Sequence, residues 1–179
     1  MDTGGSSHVP SLPRSDFGTV RPVPTDSVTV HVEAPPDAVW QLVSDVTNTG
    51  RFSPETFEAE WIEGSHGPEV GARFRGHVKR NGRGPTYWTK CTVVASEPGR
   101  EFAFVVGTPK NHPMTWGYHF VAAGDGTDVT EYYDLAENLP LKLYWALFGK
   151  ARGRTNARNM QATLDRIKLV AESAESPNE

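Results

Sequence analysis

Glu131 is the residue whose setting could do chemistry. It falls in phase with Val129, Tyr133 and Leu135 within VTEYYDL, residues 129–135. In an extended strand all four side chains share one face. A carboxylate in an apolar wall must find a partner or take up a proton. Such a group can work as an acid or base, or bind a ligand hydroxyl. It can equally serve as a structural pair with an arginine or lysine, or face water at a strand edge. Tyr133 and Tyr118 complete the set of catalytic candidates, each able to donate a hydrogen bond to a ligand carbonyl. Buried tyrosine hydroxyls also serve structure alone.

Other reactive side chains offer less. The histidines are His8, His31, His66, His77, His112 and His119, and none has the spacing of a metal site. No metal and no cofactor is expected. His119 is out of phase with Trp116 and Tyr118 and should face away from them. Cys91 is the sole cysteine, so no intrachain disulfide forms. Lying mid-strand, it reads as a buried, inert thiol. Ser44 and Asp45 sit near a helix end, where capping accounts for them. There is no G-x-S-x-G elbow and no P-loop.

Several short strands must position these groups. Val28, Val30 and Val32 alternate with polar residues, and Pro35-Pro36 ends that strand and opens a helix. Val39, Trp40, Leu42 and Val43 form the helix's apolar stripe, and 45–52 reads as a loop or second short helix. Phe57, Ala59 and Trp61 share one face of the next strand. Phe74, Gly76 and Val78 share another, and NGRGP at 81–85 turns the chain. Tyr87–Ala95, a strand carrying Phe102, Phe104 and Val106, Met114–Val121 and Val129–Leu135 follow. Turns between short strands favour an antiparallel meander.

The apolar stretch 140–148 is read as helical and interrupted by Gly149 and Gly153. The closing helix carries Ala157, Met160, Leu164, Ile167 and Ala171 on one stripe. If the sheet curves around this helix, strand phase gives the ligand-binding candidates: Phe57, Trp61, Phe74, Phe104, Trp116, Tyr118 and Tyr133. Met160 and Leu164 would cover them from the helix. The same residue types would also fill a closed core. Trp88 faces outward by phase, although a bulge in strand four or seven would reverse inward and outward residues beyond it.

Bulk properties bound the rest. The chain has 179 residues, enough for one domain with a substantial core. Its net charge of −4 gives no support to nucleic-acid binding. Residues 1–26 read as a flexible arm on which Phe17 and Val20 could still dock. They contain no secretory h-region, and no apolar run suits a transmembrane helix, so a cytoplasmic protein is expected. Lys142, Lys150, Arg152, Arg154 and Arg158 lie beside the apolar run LPLKLYWALF. That segment, 140–158, reads as a packed helix with a solvent face, as a lid, or as a peripheral membrane contact.

APPDAVWQLVSDV at 34–46, EPGREFAF at 97–104 and GDGTDVTEYYDL at 124–135 carry a family likeness. With the long closing helix, they resemble the START-like superfamily of polyketide cyclases, dehydrases and lipid-transfer domains. The resemblance covers about residues 27–172, leaving 173–179 as a tail. It implies an α+β helix-grip fold: a seven-stranded antiparallel sheet curved around a long C-terminal helix, with two short helices after the first strand. It implies a cavity between sheet and helix, but no universal catalytic residues and not necessarily an enzyme. The expected function is binding of a small hydrophobic ligand: a lipid, polyketide or aromatic compound. The alternatives are a cyclase or dehydratase using the pocket's acid or base groups, and a regulatory or protein-interaction module.

Overall fold

The described residues run through seven strands and three helices: β1 (Asp26–Val32), α1 (Pro36–Ser44), α2 (Thr49–Phe52), β2 (Thr56–Ile62), β3 (Arg73–Val78), β4 (Tyr87–Glu97), β5 (Glu101–Val106), β6 (Met114–Ala123), β7 (Gly126–Leu135) and α3 (Leu139–Glu175). A short 3-10 turn, Val46–Asn48, links α1 to α2. This is a computed structural model. It describes residues 26–80, 84–111, 114–135 and 139–175, with α3 side chains from 154 to 174. The expectations for the arm at 1–25, for His8 and His112, for the tail beyond 175 and for the side chains of 140–153 lie outside the described residues.

The strands form one antiparallel sheet in the order β1-β7-β6-β5-β4-β3-β2. The fold is therefore α+β, with β1 and β2 at the edges. Each local element has a sequence cause. Pro35 and Pro36 open α1, where a missing N–H leaves no bond unmade. Asp45 starts the 3-10 turn by accepting from the Thr47 N–H at 3.1 Å and the Thr47 hydroxyl at 2.7 Å.

The C-terminal part of α3 is tied to edge strand β1. Lys168 Nζ donates to the His31 carbonyl at 2.9 Å, and the Glu33 N–H donates to Glu172 Oε1 at 2.8 Å. Lys168 and Glu172 also pair with each other at 2.7 Å. Behind these surface ties, Leu164, Ile167 and Ala171 pack into a core with Val32, Val39, Phe102, Phe120 and Val129.

Two findings depart from the sequence reading. The helix α3 is continuous from Leu139, so Gly149 and Gly153 do not interrupt it. A helical glycine costs only about 1 kcal/mol against alanine, which the rest of a long helix can absorb. The register shifts fall between Thr56 and Glu58 in β2 and between Val93 and Ala95 in β4. β7 pairs with both neighbours without a shift.

Candidate functional site

A cavity of about 450 Å³ lies between the concave face of the sheet and α3. Phe74, Phe104, Trp116, Tyr118 and Met160 line it, as does Glu131. The rings of Phe74 and Phe104 meet edge to face at 5.1 Å between centroids. Val43, Val46 and Phe52 from the α1–α2 region also line it. At the rim, Arg80 and Tyr87 line the cavity and are also exposed.

The remaining ligand-binding candidates lie elsewhere. Leu164 is fully buried in the core and outside the cavity wall. Tyr133 is also fully buried, packed on Trp116 with centroids 5.2 Å apart, and its side chain is not part of the wall. Trp61 is half-buried and set edge-on to Phe74 at 5.8 Å. Phe57 requires a correction of face. The β2 register shift lets Thr56 and Ala59 line the cavity while Phe57 turns outward, 47% exposed, onto the His77 ring at 4.4 Å. Two residues opposite one partner break the alternation of faces.

The outward reading of Trp88 agrees with the structure. Its ring stacks on His77 at 4.4 Å, with the Arg75 guanidinium 4.3 Å from its centroid. The β4 shift lies beyond Trp88 and leaves its phase intact. His119 likewise turns away from Tyr118 and stacks on Tyr132 at 4.7 Å.

Glu131 and Tyr118 are register partners across β7 and β6. The Tyr118 hydroxyl donates to Glu131 Oε1 at 3.0 Å. Glu131 Oε2 is buried and has no hydrogen-bond partner. β7 lies inside the sheet, and among the described residues no cation pairs with Glu131. Neither the ion pair nor the strand-edge position therefore accounts for it. Burial pushes its carboxyl up to about 8, against the lowering effect of the Tyr118 hydrogen bond. Burial also raises Tyr118 well above the usual phenol range, reinforced by the Glu131 charge and hydrogen bond. At neutral pH this corner holds a protonated acid and a neutral phenol in an apolar wall.

Cys91 lines the cavity too, and burial pushes its thiol up to about 12. It is an unreactive part of the wall.

Polar residues of α3 complete the lining: Asn156, Asn159 and Thr163. The Asn156 Nδ2 is buried and, like Glu131 Oε2, unpartnered. Asn156 and Thr163 stand four residues before and three after Met160, so helical spacing places them on the Met160 stripe. Searching that stripe for apolar residues alone misses them. Among the described residues, no group of histidine, cysteine or carboxylate side chains could hold a metal ion. No helix among the described residues is long and apolar enough to cross a membrane.

A family model described as polyketide cyclase/dehydrase and lipid transport matches residues 25–172. The chain belongs to this family. Solved structures of similar fold agree with the membership. TTHA0849 from Thermus thermophilus superposes with a TM-score of 0.62 at 16% identity, over 84% of this chain and 98% of that one. The polyketide_cyc-like protein Cgl2372 from Corynebacterium glutamicum is 26% identical, with a TM-score of 0.52 over 84% of this chain and 93% of its own. The di-domain ARO/CYC StfQ of the steffimycin biosynthetic pathway gives a TM-score of 0.59 at 18% identity, over 84% of this chain and 46% of StfQ. A comparison with curated proteins finds no match. Membership in the polyketide cyclase/dehydrase and lipid transport family carries the fold, whereas activity depends on the side chains within the cavity.

Proposed function

We propose that this protein binds a small, largely apolar molecule non-covalently in the cavity between its sheet and α3. One observation carries the reading: an aromatic-walled space of about 450 Å³ with a buried carboxyl in its wall. That volume is within the range that takes a small organic ligand. Aromatic rings supply contact area, and a few polar groups orient what enters. Each 100 Å² of apolar ligand surface buried contributes about 2.5 kcal/mol before the costs of ordering. A lipid, a polyketide or another aromatic compound meets the description. The single buried thiol suits a reducing compartment such as the cytoplasm.

A specific observation also favours a second reading, catalysis of cyclisation or dehydration. Burial keeps the Glu131 carboxyl protonated at neutral pH, and Tyr118 orients it. Such an acid can donate its proton to a departing hydroxyl. The ARO/CYC description of StfQ supports this reading by fold alone. Glu131 and Tyr118 would carry the chemistry, with Tyr133 behind Trp116 as support.

Native mass spectrometry of freshly purified protein, followed by solvent extraction, tests binding. A defined added mass identifies the ligand class. An apo mass, together with no affinity for any lipid, aromatic or polyketide-like compound in a screen, refutes the binding reading. Turnover of a bound polyketide-like compound, abolished in Glu131→Gln, would establish the enzyme.

A further inference from the structure

We propose that residues 20–25, VRPVPT, cross the outer face of the sheet as an extended strap, with Val20 and Val23 packed over β4–β6 and Arg21 turned to the Glu101 carboxylate. The inference is independent of the binding reading above.

Burial on the outer face is local. Ala103, Val105 and Tyr132 are buried, yet strand alternation points them away from the cavity and they stand outside the core cluster. Val105 is 2% exposed. Val121 shares this face on β6, four residues beyond Gly117, and is 59% exposed. An antiparallel sheet face in water looks like the surroundings of Val121, so the patch around Val105 has a cover. Among the described residues, α1 and α3 turn their apolar side chains to the opposite face, where Val39, Leu164 and Ile167 pack with Phe102 and Phe120.

The buried residues lie in two rows that lead to one place. Ser27, Tyr132, Gly117 and Ala103 are register partners across β1, β7, β6 and β5. Asp134, Thr115, Val105 and the buried Thr92 form the next row, from β7 to β4. Asp26 pairs with Tyr133, so the chain enters β1 between these two rows. A segment that reaches β1 from over the outer face meets both.

The sequence before β1 suits that course. Pro22 and Pro24 fix their own backbone and hold Arg21 and Val23 extended. They also remove two N–H groups that an apolar surface could not satisfy. A polyproline helix has three residues per turn, so Val20 and Val23 share one side and Arg21 takes another. At about 3.1 Å per residue, Val23 stands about 9 Å from Asp26 and Val20 about 19 Å. Strands spaced about 4.8 Å apart, in the order β1-β7-β6-β5-β4, put these positions over β6 and β4. Arg21, about 16 Å out, falls over β5, the strand of Glu101. Glu101 is buried on this face, where it accepts from the Tyr132 hydroxyl, and a buried carboxylate favours a cation beside it.

Single cysteines in the full chain test the strap, because Cys91 is buried in the native protein. Val20→Cys and Val23→Cys should each react with a thiol reagent at least about tenfold more slowly than Val121→Cys. Rates equal to that of Val121→Cys would overturn the strap. Protection that grows with protein concentration would assign the cover to a second copy and overturn it too. Val20→Asp and Val23→Asp together should lower Tm by about 4 °C or more, and an unchanged melting curve would also overturn it. Should one cysteine variant fail to fold, the other decides. Arg21→Gln should lower Tm by about 2 °C in the wild-type chain and leave it unchanged when Glu101 is already Gln. Equal losses in both backgrounds would refute the Arg21–Glu101 pairing.

Discussion

The Tyr118 hydroxyl lies 3.0 Å from Glu131 Oε1, on neighbouring strands and on the concave face that holds the cavity. The bond occupies one carboxyl oxygen and leaves the other unpaired. A carboxyl with one satisfied and one unsatisfied buried oxygen is held in place and resists ionisation. The consequences reach stability, ionisation and binding.

Stability should fall as pH rises across neutrality. Glu131 has an ordinary value of 4.5, and burial raises it to about 8 in the folded chain. The folded state therefore holds this proton more tightly than the unfolded state. Its contribution is complete below pH 4.5 and is lost as pH rises through about 8. Within that window the loss approaches about 1.4 kcal/mol per pH unit. Glu131→Gln should remove this component. Urea denaturation of both proteins from pH 5 to 9 checks it, and equal slopes would contradict a raised Glu131.

Tyr118→Phe removes the hydrogen bond and strands a second carboxyl oxygen. A loss of about 1–2 kcal/mol is expected at pH 6. The bond lowers the Glu131 value, so the variant should titrate at still higher pH. Carbon-detected NMR of the carboxyl reads this directly. A downward shift would mean that Tyr118 does not donate.

Phe74 and Phe57 should behave oppositely despite similar sequence settings. Phe74 is buried between Trp61 and Phe104 and lines the cavity, so Phe74→Ala should cost about 3–5 kcal/mol and alter ligand affinity. Phe57 rests half-exposed on His77, and Phe57→Ala should cost about 1 kcal/mol or less with ligand affinity unchanged. Chemical denaturation with a bound-probe titration separates them. An affinity change in Phe57→Ala would place it back in the wall.

Gly117→Ala should destabilise through a collision on the outer face. The Tyr132 side chain crosses Gly117 on its way to Glu101, where its hydroxyl donates to Oε1 at 3.2 Å. A Cβ at Gly117 would come within 2.3 Å of Tyr132 Cζ. Displacing that ring should cost about 1–3 kcal/mol and lower Tm by several degrees. An unchanged melting curve would show that Tyr132 has another resting place.

Cys91 should resist thiol reagents until the chain opens. Its thiol is raised to about 12 by burial, so little thiolate exists at pH 8. Labelling of the native protein should be slower than in urea by about a hundredfold or more. Comparable rates would indicate a cavity open to reagents as far as β4.

Much of this site was legible from alternation alone. Trp116 and Tyr118 in β6, and Glu131 in β7, share the concave face because both strands run without a register shift. Phe57 was not legible. Nothing in TFEAEW marks the extra residue that turns its ring outward, since the bulge depends on how β2 meets β3. Asn156 stood on the expected helical stripe, but its importance follows from where its amide ends.

By itself the sequence determined the elements, their order and the faces of most strands, because period-two and period-3.6 patterns are properties of neighbouring residues. Only the tertiary structure decided which inward side chains meet one another and which meet open space. Met160 borders the cavity while Leu164, one turn later on the same stripe, is sealed in the core. That difference comes from the curvature of the sheet and the seating of α3, held by contacts as remote in sequence as Lys168 with His31. Local patterns carry no record of such distances.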